Sequence, residues 1–361
     1  MGCANSTAAT TASSPSVDSN TKQIDDALKA EKTKQKAITK MLLLGAGESG
    51  KSTIIKQMKL LYGAGYTEQE REDHYEVIVA NLIQSMQAIL DAMPRLGLVD
   101  QLSRVDKDRA NLVRLNKSYD LETWTETLYP TIKHLWQHPV VQEAFSRASE
   151  YQLNDSAPYF FSSLDRIAQE DYVPTVQDIL QARVKTTGIL ESRVEMDNHP
   201  FLLLDVGGQR SERKKWIHCF ENVDLLLFVI SLSEWDQKLR EDQDASRFEE
   251  AVVLFDSTAN SRWFAKSTLV CFFNKMDLLQ EKLEKKPLSD AFPDFPPEHN
   301  KDVKAAASFM KAKFVGLYKS DTKPMYSHYT TATNSDAMKV VMTAVTDSVL
   351  RTALSKSGLL M

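Results

Sequence analysis

The sequence is short of glycine and cysteine, has no long apolar run, and carries no excess of positive charge. Glycine is 12 of 361 residues, under half the usual ~7%, which excludes collagen-like and glycine-rich linker classes and implies that clustered glycines answer a backbone need. Three cysteines, Cys3, Cys219 and Cys271, form no even, regularly spaced framework, so a reducing compartment fits best. The most apolar run, residues 225–230, is only strand-length, so no transmembrane helix is expected. The first residues lack a basic start followed by an apolar core, so no secretory signal is expected. A net charge of −5 argues against an electrostatic nucleic-acid partner. At 9% aromatic and 26% charged the chain is not globally disordered. Its 361 residues suggest about two or three domains, with a core large enough to need no disulfides.

Against these absences stand definite patterns. Gly2 and Ser6 match M-G-x-x-x-[ST], an N-myristoylation signal, and Cys3 beside Gly2 can take a palmitoyl chain. One acyl chain holds a protein weakly to a membrane and two hold it stably. Residues 4–21, rich in Ser, Thr and Ala, read as a tail. Residues 22–40 read as a charged helix with a thin apolar stripe of Ile24, Leu28 and Ile38. An apolar run at 41–44 ends in glycines, and 52–61 reads as a helix. From 68 to 93 the apolar residues keep a 3–4 spacing up to Pro94, predicting one helix of roughly 39 Å. The pattern stays helical to 180, with Trp124, Leu128, Leu135, Trp136 and Phe145 as candidate core. Buried-strand runs then appear at 201–204, 225–230, 269–273 and 325–329, separated by helical stretches. That alternation signifies an α/β parallel sheet, interrupted after its first strand and helix by a helical block.

The glycines cluster where chemistry is expected. Residues 45–52 match G-x-x-x-x-G-K-[ST] between a strand and a helix. Backbone N–H groups there can cradle phosphates at a helix N-terminus, with Gly45, Gly47 and Gly50 admitting close approach. Lys51 can reach the β and γ phosphates, and Ser52 can ligate Mg²⁺. Asp205-Val-Gly-Gly-Gln209 follows a strand: Asp205 can hold Mg²⁺ through water, Gly207 and Gly208 let the backbone approach a γ-phosphate, and Gln209 can orient water. Asn274-Lys275-Met276-Asp277 follows the next-to-last strand. An Asp carboxylate accepts from guanine N1–H and N2–H₂, which adenine does not offer, and the Lys275 stem can lie along the base. After the last strand, a backbone N–H such as that of Ala332 can meet guanine O6. Where the helical block returns to the sheet, Thr186 can complete a Mg²⁺ shell, and Arg183 suits the charge of a phosphoryl-transfer transition state.

With these motifs in order, the chain resembles the α subunits of heterotrimeric G proteins over residues 1–6 and nearly everything from 22 to 361. The runs LGAGESGKSTIIKQMK, EYQLNDSAPYF, RVKTTGI, DVGGQRSERKKWIHCFE and LFDSTANSRWF carry the likeness. The resemblance implies an α/β fold: a Ras-like P-loop GTPase domain at 41–62 and 182–361, an all-α insertion at 63–181, and an acylated tail with N-terminal helix at 1–40. It implies GTP/GDP and Mg²⁺ as ligands, with Glu48, Ser49, Gly50, Lys51, Ser52 and Thr53 around the phosphates and Ser52 and Thr186 on the metal. Gly208 would sense the γ-phosphate, and Arg183 and Gln209 would drive hydrolysis. Asn274, Lys275, Asp277 and Ala332 would read guanine, while Asp155, Ser156 and Leu180 would face the nucleotide from the helical side. It further implies an Arg213–Glu250 ion pair, a βγ dimer on the N-terminal helix and on the segment around Trp216 and His218, and a membrane receptor at the C-terminal helix from about Ser335. Effectors, GTPase-activating regulators and a lipid-anchored place on the cytoplasmic face of the plasma membrane complete that picture.

The chain departs from the family in places. Gln181-Ala182 replaces a more basic pair before Arg183, Ser357 stands where some members carry cysteine, and Met361 extends the usual end by one residue. Two other functions fit a phosphate loop: a metabolic ATPase or kinase, which Asp277 and the D-x-G-G-Q motif oppose, and a scaffold without hydrolysis, which the joint presence of Arg183 and Gln209 opposes. His134 and His138, four apart, have zinc-like spacing but no evident third ligand. They read better as partly exposed helix residues.

Overall fold

Apolar residues in runs rather than in alternation make strands that are buried on both faces. The computed structural model, which describes residues 38–117, 120, 122–320 and 323–356, has six: β1 (Thr39–Leu44), β2 (Ile189–Met196), β3 (His199–Val206), β4 (Leu225–Ser231), β5 (Thr268–Asn274) and β6 (Met325–Tyr329). The sheet order is β2-β3-β1-β4-β5-β6. β2 runs antiparallel to β3, and the other pairings are parallel. Every residue of β4 and β5 is buried.

Thirteen α-helices accompany the sheet among the described residues: α1 (Lys51–Tyr62), α2 (Glu68–Glu72), α3 (Tyr75–Ala92), α4 (Arg104–Leu115), α5 (Tyr129–Gln137), α6 (Pro139–Ser146), α7 (Ala157–Ser162), α8 (Leu164–Ile167), α9 (Val176–Gln181), α10 (Arg247–Ala259), α11 (Met276–Lys285), α12 (Val303–Val315) and α13 (Ser335–Lys356). One sheet face packs Ile54 and Met58 of α1 and Met338 and Met342 of α13 against Leu43, Leu227 and Phe272. The other packs Phe255 of α10 and Phe314 of α12 against Phe228 and Phe273. Helices α2 to α9 intervene between α1 and β2 and enclose a separate core around Trp124, Leu128, Leu135 and Phe160. The fold is α/β, with an all-helical block inserted after the first βα unit. None of the described helices is long and apolar enough to cross a membrane. Gly2, Cys3, the tail, most of the charged N-terminal stretch, Ser357 and Met361 lie outside the described residues.

Three expectations need correction. The helix predicted over 68–93 is two helices, α2 and α3, because His74 Nδ1 lies 2.7 Å from the Glu70 carbonyl while the His74 N–H turns to Arg71 O. A side chain competing for an i−4 carbonyl ends the α-helical ladder there. β2 went unrecognised because it is an edge strand whose sequence, ILESRVEM, mixes charge with apolar residues. Its signal was the Asp197-Asn198 dipeptide: both residues have positive φ, as a two-residue hairpin turn between twisted strands requires. Thirdly, His134 and His138 do have an acidic neighbour. Asp106 Oδ1 lies 2.8 Å from His134 Nε2, and Asp106 Oδ2 lies 3.8 Å from His138 Nε2. Arg109 Nη1 sits 3.1 Å from the same carboxylate and 3.0 Å from His134 Nε2, while His138 Nδ1 caps α6 through the Val140 N–H. These ring nitrogens serve a polar knot, and no group of three metal-type side chains occurs among the described residues.

The helical block is anchored beside the cleft by Asp178 of α9. Its fully buried carboxylate accepts from Arg166 Nη1 and Nη2, the Tyr159 and Tyr172 hydroxyls, and the Thr175 N–H and Oγ1, at 2.7–2.9 Å. Burial alone would raise its pKa, but Arg166 and the Thr175 amide hold it well below the usual carboxylate range. A carboxylate depressed in this way contributes stability that is present above its unfolded pKa of about 3.9 and is lost as pH falls through the folded value. Asp178→Ala should destabilise the protein by about 3 kcal/mol, near the lower end for a broken buried pair because Arg166 retains access to water. Urea unfolding at neutral pH would measure it, and a loss below about 0.5 kcal/mol would refute this account.

Candidate functional site

Because β1, β3, β4, β5 and β6 are parallel, their C-terminal ends share one edge of the sheet. The loops leaving that edge face the helical block across a cleft of about 830 Å³. From the phosphate-loop segment it is lined by Gly47, Glu48, Gly50, Lys51, Ser52 and Thr53. Asp205 lies near the end of β3 with Gly208 and Gln209 beyond it, Asn274 ends β5 with Lys275 and Asp277 beyond it, and Ala332 follows β6. The helical block contributes Asp155, Ser156 and Leu180, and the returning chain adds Arg183 and Thr186. Of the residues expected from the sequence to meet nucleotide or metal, Gly45, Ser49 and Gly207 are absent from this lining; Ser49 is buried with an unpartnered Oγ.

Two glycines are required by close approach. Gly50 has φ +103°, and a Cβ there would collide with Asn274 Nδ2. A Cβ on Gly208 would lie 2.5 Å from Lys51 Nζ and 2.6 Å from Ala46 O. Lys51 Nζ donates to Ala46 O at 2.7 Å and Gly45 O at 3.0 Å. Burial pushes this amine down to about 8, against the pull of Asp205. Asp205 is itself raised by burial, despite Lys51 and Ser52.

Ser52 Oγ donates to Asp205 Oδ2 at 2.6 Å and lies 2.7 Å from Thr186 Oγ1, which is 3.4 Å from the same carboxylate oxygen. Asp205 Oδ1 is buried without a partner. Three hard oxygen donors with one lone pair unspent suit a small divalent cation such as Mg²⁺.

At the end of β5, Asn274 is a buried frame residue. Its Nδ2 donates to Ser49 O at 2.9 Å, and its Oδ1 accepts from Thr330 Oγ1 at 3.1 Å and the Ala332 N–H at 3.0 Å. The Ala332 amide expected to face a ligand is therefore spent on Asn274. Asp277, exposed in the first turn of α11, makes no hydrogen bond among the described residues.

Charged side chains bridge the cleft: Lys275, Asp155 and Glu48, named from the sequence, are joined by Glu234 and Arg247, which sequence reading passed over. Lys275 Nζ contacts Asp155 Oδ2 of the helical side and Glu234 Oε1, each at 2.5 Å. Burial would lower the Lys275 pKa, but these carboxylates raise it. Arg247 binds Glu48 Oε2 at 2.7 Å and also pairs with Gln152 Oε1, a second contact across the cleft. Glu234 had a positional signal, three residues beyond the end of β4 on the site edge; Arg247, in the first turn of α10, had none. Arg183 Nη2 rests 2.6 Å from Glu48 Oε1.

The segment after Gln209 is locked in place. Arg213 Nη1 pairs with Glu250 Oε1 at 2.5 Å, as the family resemblance implied, and Arg213 Nε donates to Gly208 O at 3.1 Å. Arg210 shares Glu250 and adds Asp242. Trp216, expected in a partner contact, is buried here and donates its indole N–H to Gly207 O at 2.9 Å.

The chain matches the family model described as G-protein alpha subunit over residues 18–349. It is 47% identical to a guanine nucleotide-binding protein subunit alpha of Coprinellus congregatus, with all of both chains covered. It is 46% identical to one of Emericella nidulans, over 94% of this chain and 95% of the relative. A guanine nucleotide-binding protein alpha-1 subunit of Mycosarcoma maydis is also 46% identical, over 93% and 95%. A match of this extent, on a P-loop sheet with an all-helical insert, places the chain in the G-protein alpha subunit family, a family of GTPases.

Proposed function

We propose that this chain is the α subunit of a heterotrimeric G protein. In this reading it binds GDP with a βγ dimer in the resting state, takes up GTP when a membrane receptor opens it, engages an effector, and resets by hydrolysing GTP. The observation that carries the reading is the convergence of the phosphate loop, Arg183, Thr186, Asp205, Gln209 and the Asn274–Asp277 segment on one cleft.

Each residue has a physical task there. Amides of residues 48–53 and the N-terminus of α1 hold the phosphates, and Lys51 leaves its carbonyl partners for the β and γ oxygens. Ser52 and Thr186 would hold Mg²⁺, with Asp205 acting through water; the ion supplies charge neutralisation at the β and γ phosphates. Gln209, whose carboxamide is free of hydrogen bonds among the described residues, orients the attacking water. Arg183 moves from Glu48 to the charge that develops on the γ-phosphoryl group. The Gly208 amide senses that group, and the Arg213–Glu250 pair holds the segment behind it. Gly2 and Cys3 would carry myristoyl and palmitoyl chains that keep the protein on the cytoplasmic face of the plasma membrane.

Competition and capture test this reading. Unlabelled GTP and GDP should displace a fluorescent GTP analogue from the purified protein with its Mg²⁺, and ATP should not. A βγ dimer should be retained by the GDP form and released by a non-hydrolysable GTP form. ATP displacing the analogue as well as GTP does would remove the reading.

A further inference from the structure

The main chain of Arg183 is held by a side chain 102 residues away. Asn81 lies in α3 of the helical block and is buried within its apolar face. Its Nδ2 donates to Arg183 O at 2.9 Å, and its Oδ1 accepts from the Arg183 N–H at 2.6 Å. The carboxamide thus satisfies both backbone groups of one residue, as a neighbouring strand would. The peptide before Arg183 is held from the sheet-bearing part: Lys56 Nζ of α1 donates to Ala182 O at 2.5 Å and to Ile179 O at 2.8 Å. The backbone is therefore pinned by both parts of the protein, while among the described residues the guanidinium is held only at its tip, by Glu48.

We propose that Asn81 is a positioning residue for the hydrolysis reaction: it fixes the pivot from which Arg183 swings from Glu48 to the γ-phosphoryl group. This rests on the reading of Arg183 given above. A long side chain magnifies any error at its Cα, and displacement of a reacting group by about 1 Å costs roughly a hundredfold. Asn81 thus contributes to catalysis from the helical block without itself lining the cleft.

The test uses full-length protein and single-turnover GTP hydrolysis. Asn81→Asp keeps the size and the acceptor but sets a carboxylate oxygen against the Arg183 carbonyl; Asn81→Ser removes both bonds and serves if the first variant does not fold. Hydrolysis should slow by roughly tenfold to a hundredfold, with GDP affinity unchanged and GDP–aluminium fluoride affinity reduced in step. In an Arg183→Cys background, Asn81→Asp should cause no further loss. Wild-type hydrolysis by a folded Asn81 variant, or the same fold-loss with Arg183 already absent, would overturn the proposal. The wild type and Arg183→Cys alone test the underlying reading, so the two failures are distinguishable.

Discussion

Arg183→Cys is expected to slow GTP hydrolysis by about a thousandfold while leaving GTP binding intact, a magnitude known for the cis arginine of this same family rather than obtained from the geometry. Such a factor corresponds to about 4 kcal/mol at the transition state. A fixed positive charge in a partly dehydrated cleft can supply it, because the γ-phosphoryl group gains charge outside the reach of bulk water. The fold should survive. Glu48, which loses Arg183, keeps Arg247 at 2.7 Å, so no buried carboxylate is orphaned. Burial alone would raise the Glu48 pKa; Arg183 and Arg247 together lower it, and Arg247 remains. Gln209→Leu should cause a comparable loss by a separate route. The Gln209 carboxamide has no hydrogen-bond partner among the described residues, so its removal affects the water it orients rather than the protein. Single-turnover assays beside nucleotide titrations would check both, and hydrolysis at the wild-type rate in either variant would contradict the assigned role.

The sheet and the cleft were legible in the sequence to the extent that local rules govern them. Strands β4 and β5 are continuous apolar runs, and the phosphate loop, the Asp205 and the Asn274 motifs sit at the ends of apolar runs, where parallel strands must deliver them to one edge. Lys51, Asp205 and Asp277 are therefore legible as neighbours from the sequence alone, and all three line the cleft. What escaped was set by contacts between segments distant in sequence. Glu234, Arg247 and Gln152 derive their positions from one another, and no local pattern marks Arg247 as the residue that grips Glu48. Asn81 shows the intermediate case. An amide at the 3–4 spacing of Ile78, Asn81 and Ser85 interrupts an otherwise apolar stripe, which signals a buried polar partner without saying that the partner is Arg183. The helix over 68–93 is two helices for the opposite reason: the charged residues from Glu68 to Asp73 run without a Gly or Pro into the apolar period that begins at Tyr75, while a single histidine ring breaks the backbone ladder.

Asp277→Asn is expected to weaken GTP binding by about a hundredfold to ten-thousandfold. The carboxylate is assigned two charge-assisted hydrogen bonds, from guanine N1–H and N2–H₂, worth roughly 1.5–3 kcal/mol each. Together they amount to about 3–6 kcal/mol, which converts to that range of affinity. The amide of asparagine has nearly the same shape but offers one acceptor where the carboxylate offered two, and its NH₂ would face a guanine donor. The loss should be confined to the ligand. Asp277 makes no hydrogen bond among the described residues, whereas its neighbour Asn274 bridges Ser49, Thr330 and Ala332. Substituting Asn274 would disturb the loops after β1 and β6, while substituting Asp277 removes only a favourable first-turn charge on α11, worth about 0.3–1 kcal/mol. Melting should therefore change little as GTP affinity collapses. Binding of ATP, which lacks those two donors, should be unaffected, so the preference for GTP over ATP narrows by the same factor. Competition titrations of the variant with both nucleotides would measure it. An undiminished preference for GTP would mean that guanine is read elsewhere in the cleft and that Asp277 serves only the helix it begins.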